Sequence, residues 1–316
     1  MAVTERAGED SQDELARRFE EHRGPLRGVA YRLLGSLADA DDAVQETWLR
    51  LSRSDAGAID NLAAWLRTVV SRICLDMLRS RTSRREDFVG HLPEEVWDEE
   101  RTGAGPESEA VLVDAVGRAL LVVLDSLSPA ERVAFVLHDL FAVPFAEIAP
   151  VVGRTPVTTK KLASRARHRV QGTSTLPAPE LDRQRQVVDA FRAAARDGDL
   201  NALLAVLAPD VVRHADPLTL APGASARARG ADEVARETVV LRRNARFAAT
   251  ALIDGRPGLV VAPRGRLLLA LAVTVEADRV SAYEVIADPA RLSELEISLV
   301  PGSLRPSSGA PGSPSA

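Results

Sequence analysis

The chain has 316 residues, with 40 Lys and Arg against 45 Asp and Glu and a formal net charge of −5. That length holds two or three ordinary domains, and 46% hydrophobic with 27% charged residues is the balance of a soluble globular chain. No apolar run approaches the roughly 20 residues of a membrane helix, the acidic start MAVTERAGEDSQDE is unlike a signal peptide, and the lone Cys74 excludes an internal disulfide or a thiolate zinc cluster. A reducing cytoplasm and no membrane are therefore expected. The five histidines, His22, His91, His138, His168 and His214, are scattered without ligand spacing, so no metal and no cofactor is implied. The net negative charge also counts against a nucleic-acid partner, because such domains are usually basic.

In chain order, residues 14–85 read as helix. Leu15, Phe19, Leu26, Val29, Ala30, Leu33 and Leu34 recur at three- and four-residue steps until Gly35-Ser36 breaks the pattern. Residues 39–51 open on acids, which suit a helix N-terminus. A Ser-Asp-Ala-Gly loop at 54–57 precedes an apolar-faced helix from Leu62. Residues 86–109 hold Pro93, Gly103, Gly105 and Pro106 without a period, and read as a linker. A second helical stretch follows to about Gln171. In it, Ser128-Pro129-Ala130-Glu131 predicts N-cap, N1 and N3 of a helix. Thr155-Pro156 predicts another start after Gly153. Residues 176–179 form a stiff spacer; helices over 184–196, 200–207 and 230–243 precede strand-like runs at 247–253, 259–262, 267–275 and 280–286. Helices followed by a strand meander indicate an α+β domain. The Gly-, Ser- and Pro-rich tail reads as disordered.

Dividing the charge by segment changes the reading of its sum. Residues 62–85 carry six arginines against Asp76, a net of +5; residues 86–110 carry nine acids against Arg101, a net of −8; residues 154–169 carry six bases and no acid. Ala149, Gly153 and Leu162 have the spacing of a helix-turn-helix, which needs a small residue at the helix crossing, a glycine in the turn and an apolar anchor beyond it. The second helix of such a unit enters the major groove, its N-terminal side chains meeting base edges while flanking bases neutralise phosphates. The same pattern also fits a basic solvated helix closing a bundle.

DADDAVQETWLR with NLAAWLRTVVSRICLDMLRSRTSRRE resembles region 2 of the extracytoplasmic-function (ECF) RNA polymerase sigma factors, and PFAEIAPVVGRTPVTTKKLASRARHRV resembles their region 4. The resemblance implies a multidomain chain: two all-α sigma domains, region 2 as a helical bundle and region 4 as a helix-turn-helix, followed by an α+β domain. It implies that Asp42, Gln45 and Glu46 dock on the β′ clamp helices of core RNA polymerase, with region 4 at the β flap; at i, i+3 and i+4 the three share one helix face. Promoter contacts are implied for Asn61, Arg67, Ser71, Arg72, Arg79 and Arg81 at the −10 element. At the −35 element they are implied for Arg154, Thr158, Lys160, Lys161, Ser164, Arg165 and Arg167. Ser71 stands where many members carry an asparagine facing the bases. Trp65, among Leu62, Leu66 and Val69, reads as core. Thr159 occupies a usually apolar position, and Pro150 interrupts the first helix of the pair. The acidic run Glu94, Glu95, Asp98, Glu99 and Glu100 reads either as a phosphate substitute in the polymerase channel or as a tether.

VVDAFRAAARDGDLNALLAVLAPDVV, GADEVARETV and the run ending YEVIADPARL resemble the SnoaL-like, NTF2-type α+β fold, and FVGHLPEEV and ADPARL resemble signatures of the ECF subgroup carrying that extension. The subgroup implies regulation in cis through an intramolecular contact of the extension with the sigma domains. The glycine-rich stretch expected after the first strand is replaced by ADPLTLAPGASARARG. His214 and Asp216, two apart on one strand, share a face; they mark a regulatory pocket or interface, or the acid–base pair of a SnoaL-like cyclase or isomerase fused to a DNA-binding module. The favoured reading is a non-enzymatic sigma factor with these boundaries: region 2 over 11–85, acidic linker 86–108, region 4 over 109–173, linker 174–183, SnoaL-like domain 184–297 and tail 298–316.

Overall fold

The computed structural model describes residues 2–85, 115–220, 225–240 and 242–302. The whole acidic linker over 86–108, with its FVGHLPEEV segment, lies outside the described residues, as do the last fourteen positions. Two units result, a helical one (1–112, 121–170 and 262–267) and an α+β one (113–120, 171–261 and 268–316).

In the helical unit, α1 (Ala2–Leu34) and α2 (Leu37–Ser52) are joined by Gly35 at φ 74°, a left-handed turn residue. Ser36 caps α2, its hydroxyl accepting from the Asp39 amide at 3.3 Å. Of the apolar stripe read from the sequence, Phe19, Leu26, Val29, Ala30, Leu33 and Leu34 are buried, as are Val44, Leu51, Leu66 and Val70 of α2 and α3, while Leu15 is half-buried. α3 (Leu62–Arg85) is capped by Asn61, whose side-chain oxygen accepts from the Ala64 amide at 3.0 Å. α4 (Ala115–Asp125), which belongs to this unit from Leu121 on, precedes α5 (Pro129–Phe135). The predicted capping box is present, with the Ser128 amide and hydroxyl both donating to Glu131. A π-turn at Val136–Leu140 leads to α6 (Phe145–Val152), then Gly153 at φ 66°, then α7 (Pro156–Gln171). The helix-turn-helix core is the cluster Ala134, Leu162 and Ala163, with Ala130 and Phe145 against it. Pro150 is accommodated because α6 is only eight residues long and ends two positions later. Thr159 is buried with its polarity satisfied, the hydroxyl donating to the Thr155 carbonyl at 3.0 Å.

In the α+β unit, α8 (Ala178–Asp197) starts inside the expected spacer, with Pro179 in its first turn. α9 (Leu200–Val206) follows its Asp199 cap. The strands are β1 (Leu207–Ala215), β2 (Arg227–Arg229), β3 (Ala248–Ile253), β4 (Arg256–Val261), β5 (Leu269–Glu276), β6 (Arg279–Ile286) and β7 (Ile297–Ser298), in sheet order β2-β1-β6-β5-β4-β3-β7. Among the described residues, only the β1–β6 pair is parallel. Asp254-Gly255 and Ala277-Asp278 all have positive φ, as two-residue hairpin turns require. The turn between β3 and β4 is thus only two residues, and β4 begins at Arg256, ahead of the strand-like run expected from 259. α10 (Ala231–Val240) and α8 cover the sheet around Val188, Phe191, Leu203, Leu207, Val211, Val234 and Tyr283. Leu299 and Val300 are buried, so the order runs past the 298 boundary of the expected tail. This is the helical-then-mixed-sheet architecture expected.

Candidate functional site

Asp42 and Gln45 are exposed on α2, while Glu46 is half-buried and accepts from Arg50 at 2.9 Å. The three share one face, as their spacing required. Beside them, between α1 and α2, lies a groove floored by Phe19, Val44 and Trp48, with the two rings 5.1 Å apart. Trp48 escaped the sequence reading, although it follows Gln45 by one helical step. Arg27 and Asp41 bridge the two helices at 2.7 Å and hold the groove's walls.

Three arginines of α3, Arg67, Arg72 and Arg81, are occupied within the protein. Arg67 pairs with Glu147 of α6 at 3.0 Å, and Arg72 donates to the Pro150 carbonyl at 3.4 Å. That carbonyl lies in the last turn of α6, where it has no intrahelical partner and the helix dipole favours a cation. Arg81 donates to the Leu34 carbonyl at 2.9 Å and to the Asp39 carboxylate, stapling α3 to the α1–α2 turn. Arg79 stays exposed, 3.6 Å from Asp76. Ser71, expected to face bases, is instead fully buried, with an unpartnered hydroxyl. Cys74 is also buried on α3; burial pushes its thiol up to about 12, against the opposing pull of Arg132 and Arg81. The cause is that α3 packs α1 and α2 on one side and α5 and α6 on the other.

α7 behaves differently. Its Thr155 cap accepts from the Thr158 amide at 3.2 Å and lies 3.0 Å from the Thr158 hydroxyl, so Thr158 serves the helix start. Arg167 pairs with Asp139 at 2.6 Å. Arg165 and Arg169 flank the buried Glu131 at 3.5 and 3.4 Å. Arg165 and Arg167 therefore anchor the helix to its own scaffold, which basic spacing alone does not reveal. Arg154, Lys160, Lys161 and Ser164 are exposed.

In the α+β unit, His214 and Asp216 are not brought together. His214 is exposed, and Asp216 lies just beyond the end of β1. Asp216 accepts from the amides of Ala287 and Asp288 at 2.9 and 3.0 Å and from Arg291 at 2.7 Å. Burial alone would raise its pKa; those amides and Arg291 outweigh it and hold the carboxyl below its ordinary value. Asp216 thus clamps the ADPARL segment to the strand end. The shared strand face of His214 and Asp216 leaves open which face is inward: Arg213, paired with Glu237 and donating to the Ser225 carbonyl at 3.2 Å, is the buried neighbour. Tyr283, opposite it in register, shares a hydrogen bond with Thr238 at 3.2 Å. Among the described residues, no cluster of His, Cys, Asp and Glu could hold a metal.

Comparison with known proteins agrees with this division. The Sigma-70 region 2 family matches residues 18–84, and the Sigma-70 region 4 family matches residues 117–170. The ECF RNA polymerase sigma factor SigJ of Mycobacterium tuberculosis is 41% identical over 288 residues, covering 86% of this chain and 91% of that protein. The probable ECF RNA polymerase sigma factor SigI of the same species is 33% identical, covering 91% and 98%. The crystal structure of Mycobacterium tuberculosis SigJ aligns with 36% identity over 88% of this chain and 98% of that one, at a TM-score of 0.44. The chain belongs to the ECF RNA polymerase sigma factor family. Helices α1–α3 are its region 2, and α4–α7 are its region 4.

Proposed function

We propose that the chain directs core RNA polymerase to promoters, docking its α2 face on the β′ clamp helices and region 4 at the β flap. In this reading α7 reads the −35 element and α3 engages the −10 element. The observation that carries it is the pair of open surfaces in a chain of this family: Asp42 and Gln45 on α2, and the lysines of α7. α3 meets DNA only after parting from α6, because Arg67 and Arg72 cannot keep Glu147 and the Pro150 carbonyl as partners and hold phosphates as well. Its phosphate contacts are then Arg67, Arg72 and the already exposed Arg79, while Arg81 staples α3 to the α1–α2 turn and Ser71 stays inside the packed helix face. Polymerase supplies that separation by binding the sigma regions apart. The acidic linker 86–108 joins them, and the α+β domain regulates in cis without turnover. The cytoplasm is its place of action, and among the described residues no helix is long and apolar enough to cross a membrane.

The test is in-vitro transcription with core polymerase and full-length chain. Asp42, Gln45 and Glu46 together changed to alanine should abolish association with core polymerase; unchanged association sinks the reading. His214→Ala should leave transcription intact, as its exposure and lack of pairing with Asp216 speak for a domain that binds rather than converts a small molecule.

A further inference from the structure

The bases of α7 fall into two sets. Toward its C-terminus, Arg165, Arg167 and Arg169 are held by Glu131 and Asp139. Toward its N-terminus, Val157, Lys160, Lys161 and Ser164 are all exposed, and their spacing of i, i+3, i+4 and i+7 puts them on one helix face. Val157 is the anomaly of that face. Its side chain stands 68% exposed at the second position of the helix, where a polar residue would serve solvation better. Burial does not explain it: the helix-turn-helix core is closed by Thr159, Leu162, Ala163 and Ala166 on the opposite side. Its neighbours are cationic, with Arg154 before it and two lysines after it, so the partner that covers it is an anion with an apolar spot.

A duplex major groove has that combination, because the C5-methyl of thymine is its apolar feature and phosphates flank it. We infer that Val157 is a specificity-determining residue of the −35 contact, packing on the C5-methyl of one thymine. Lys160 and Lys161 then meet the phosphates or guanine edges on either side. The inference rests on the sigma-factor reading and goes further in naming the base and the chemical group read.

Thymine and uracil differ only by that methyl, so the test needs no change in base pairing. Core polymerase reconstituted with the full chain selects its preferred promoter from templates randomised at the −35 element. Each thymine of the selected element, on either strand, is then replaced by deoxyuridine. One position should weaken open-complex formation by about fourfold, the effect of one buried methyl. Val157→Ala, a change at an exposed site, should lose this sensitivity, giving equal open-complex formation on the thymine and uracil templates. A selected element without thymine, no uracil-sensitive position, or equal sensitivity in Val157→Ala overturns the inference while leaving the sigma-factor reading in place. No promoter-dependent transcript from the parent chain overturns both.

Discussion

The two helices expected to meet DNA, α3 and α7, come from segments of similar charge, +5 over residues 62–85 and +6 over 154–169. Their circumstances are opposite. α3 is sandwiched, with Ser71 and Cys74 buried and Arg67, Arg72 and Arg81 answered by groups of the protein. α7 buries one face and leaves Val157, Lys160, Lys161 and Ser164 open. The difference lies in what the guanidinium groups find nearby. A basic helix remains a nucleic-acid surface only where its scaffold leaves its charge unanswered. Glu147 and the α6 carbonyls answer α3, whereas Glu131 and Asp139 reach only the C-terminal half of α7.

Four measurements break or sharpen that contrast. The largest effect is expected for Ile148→Ala, which opens a cavity under α6 and should cost about 2–5 kcal/mol in urea denaturation. With α6 loosened, the cover on α3 should fail too, and Cys74 should become reactive toward a thiol reagent. A stable variant with an unreactive thiol would mean that α6 does not protect α3.

Next comes Glu131→Ala, which removes the capping-box acid and the anchor of Arg165 and Arg169 together, for about 1–3 kcal/mol. Glu131→Gln keeps the cap acceptor and should lose clearly less; equal losses would show that the arginine anchors dominate. Ser71→Ala should act in the other direction and stabilise the free chain by about 1 kcal/mol, since it deletes a buried hydroxyl without a partner.

The smallest effect belongs to Glu147→Ala. Arg67–Glu147 is a half-exposed pair, worth at most about 1 kcal/mol. Cys74 labelling should therefore accelerate up to about fivefold with little change in the denaturation midpoint. The pH dependence tells which form reacts. In the closed form the thiolate content climbs with pH as far as about 12. If labelling proceeds through an opened form, the rate instead levels near the ordinary thiol value of roughly 8.5. A closed-form profile in Glu147→Ala would remove the opening of α3 from the account.

Much of this fold is legible without coordinates. The stripe from Phe19 to Leu34, the capping box at Ser128–Glu131 and the turn at Gly153 are local, set by helical period, side-chain reach and backbone sterics. So is the shared face of Asp42, Gln45 and Glu46. Where local patterns are ambiguous, only the folded chain decides between the readings. His214 and Asp216 share strand parity, but that parity does not say which face is the core, and the sheet buries Arg213 and Tyr283 instead. Pro179 reads as a spacer residue until it is seen in the first turn of α8.

By itself, then, the sequence determined the two charged segments, the caps, the turn and the order of domains, because each depends on residues within a turn or two of one another. Whether a base is free was decided only by tertiary structure. Arg67 and Glu147 are 80 positions apart, and Arg167 and Asp139 are 28 apart. A charge's availability depends on the nearest opposite charge in space, and packing at those separations brings that charge beside it. The overall −5 described neither helix.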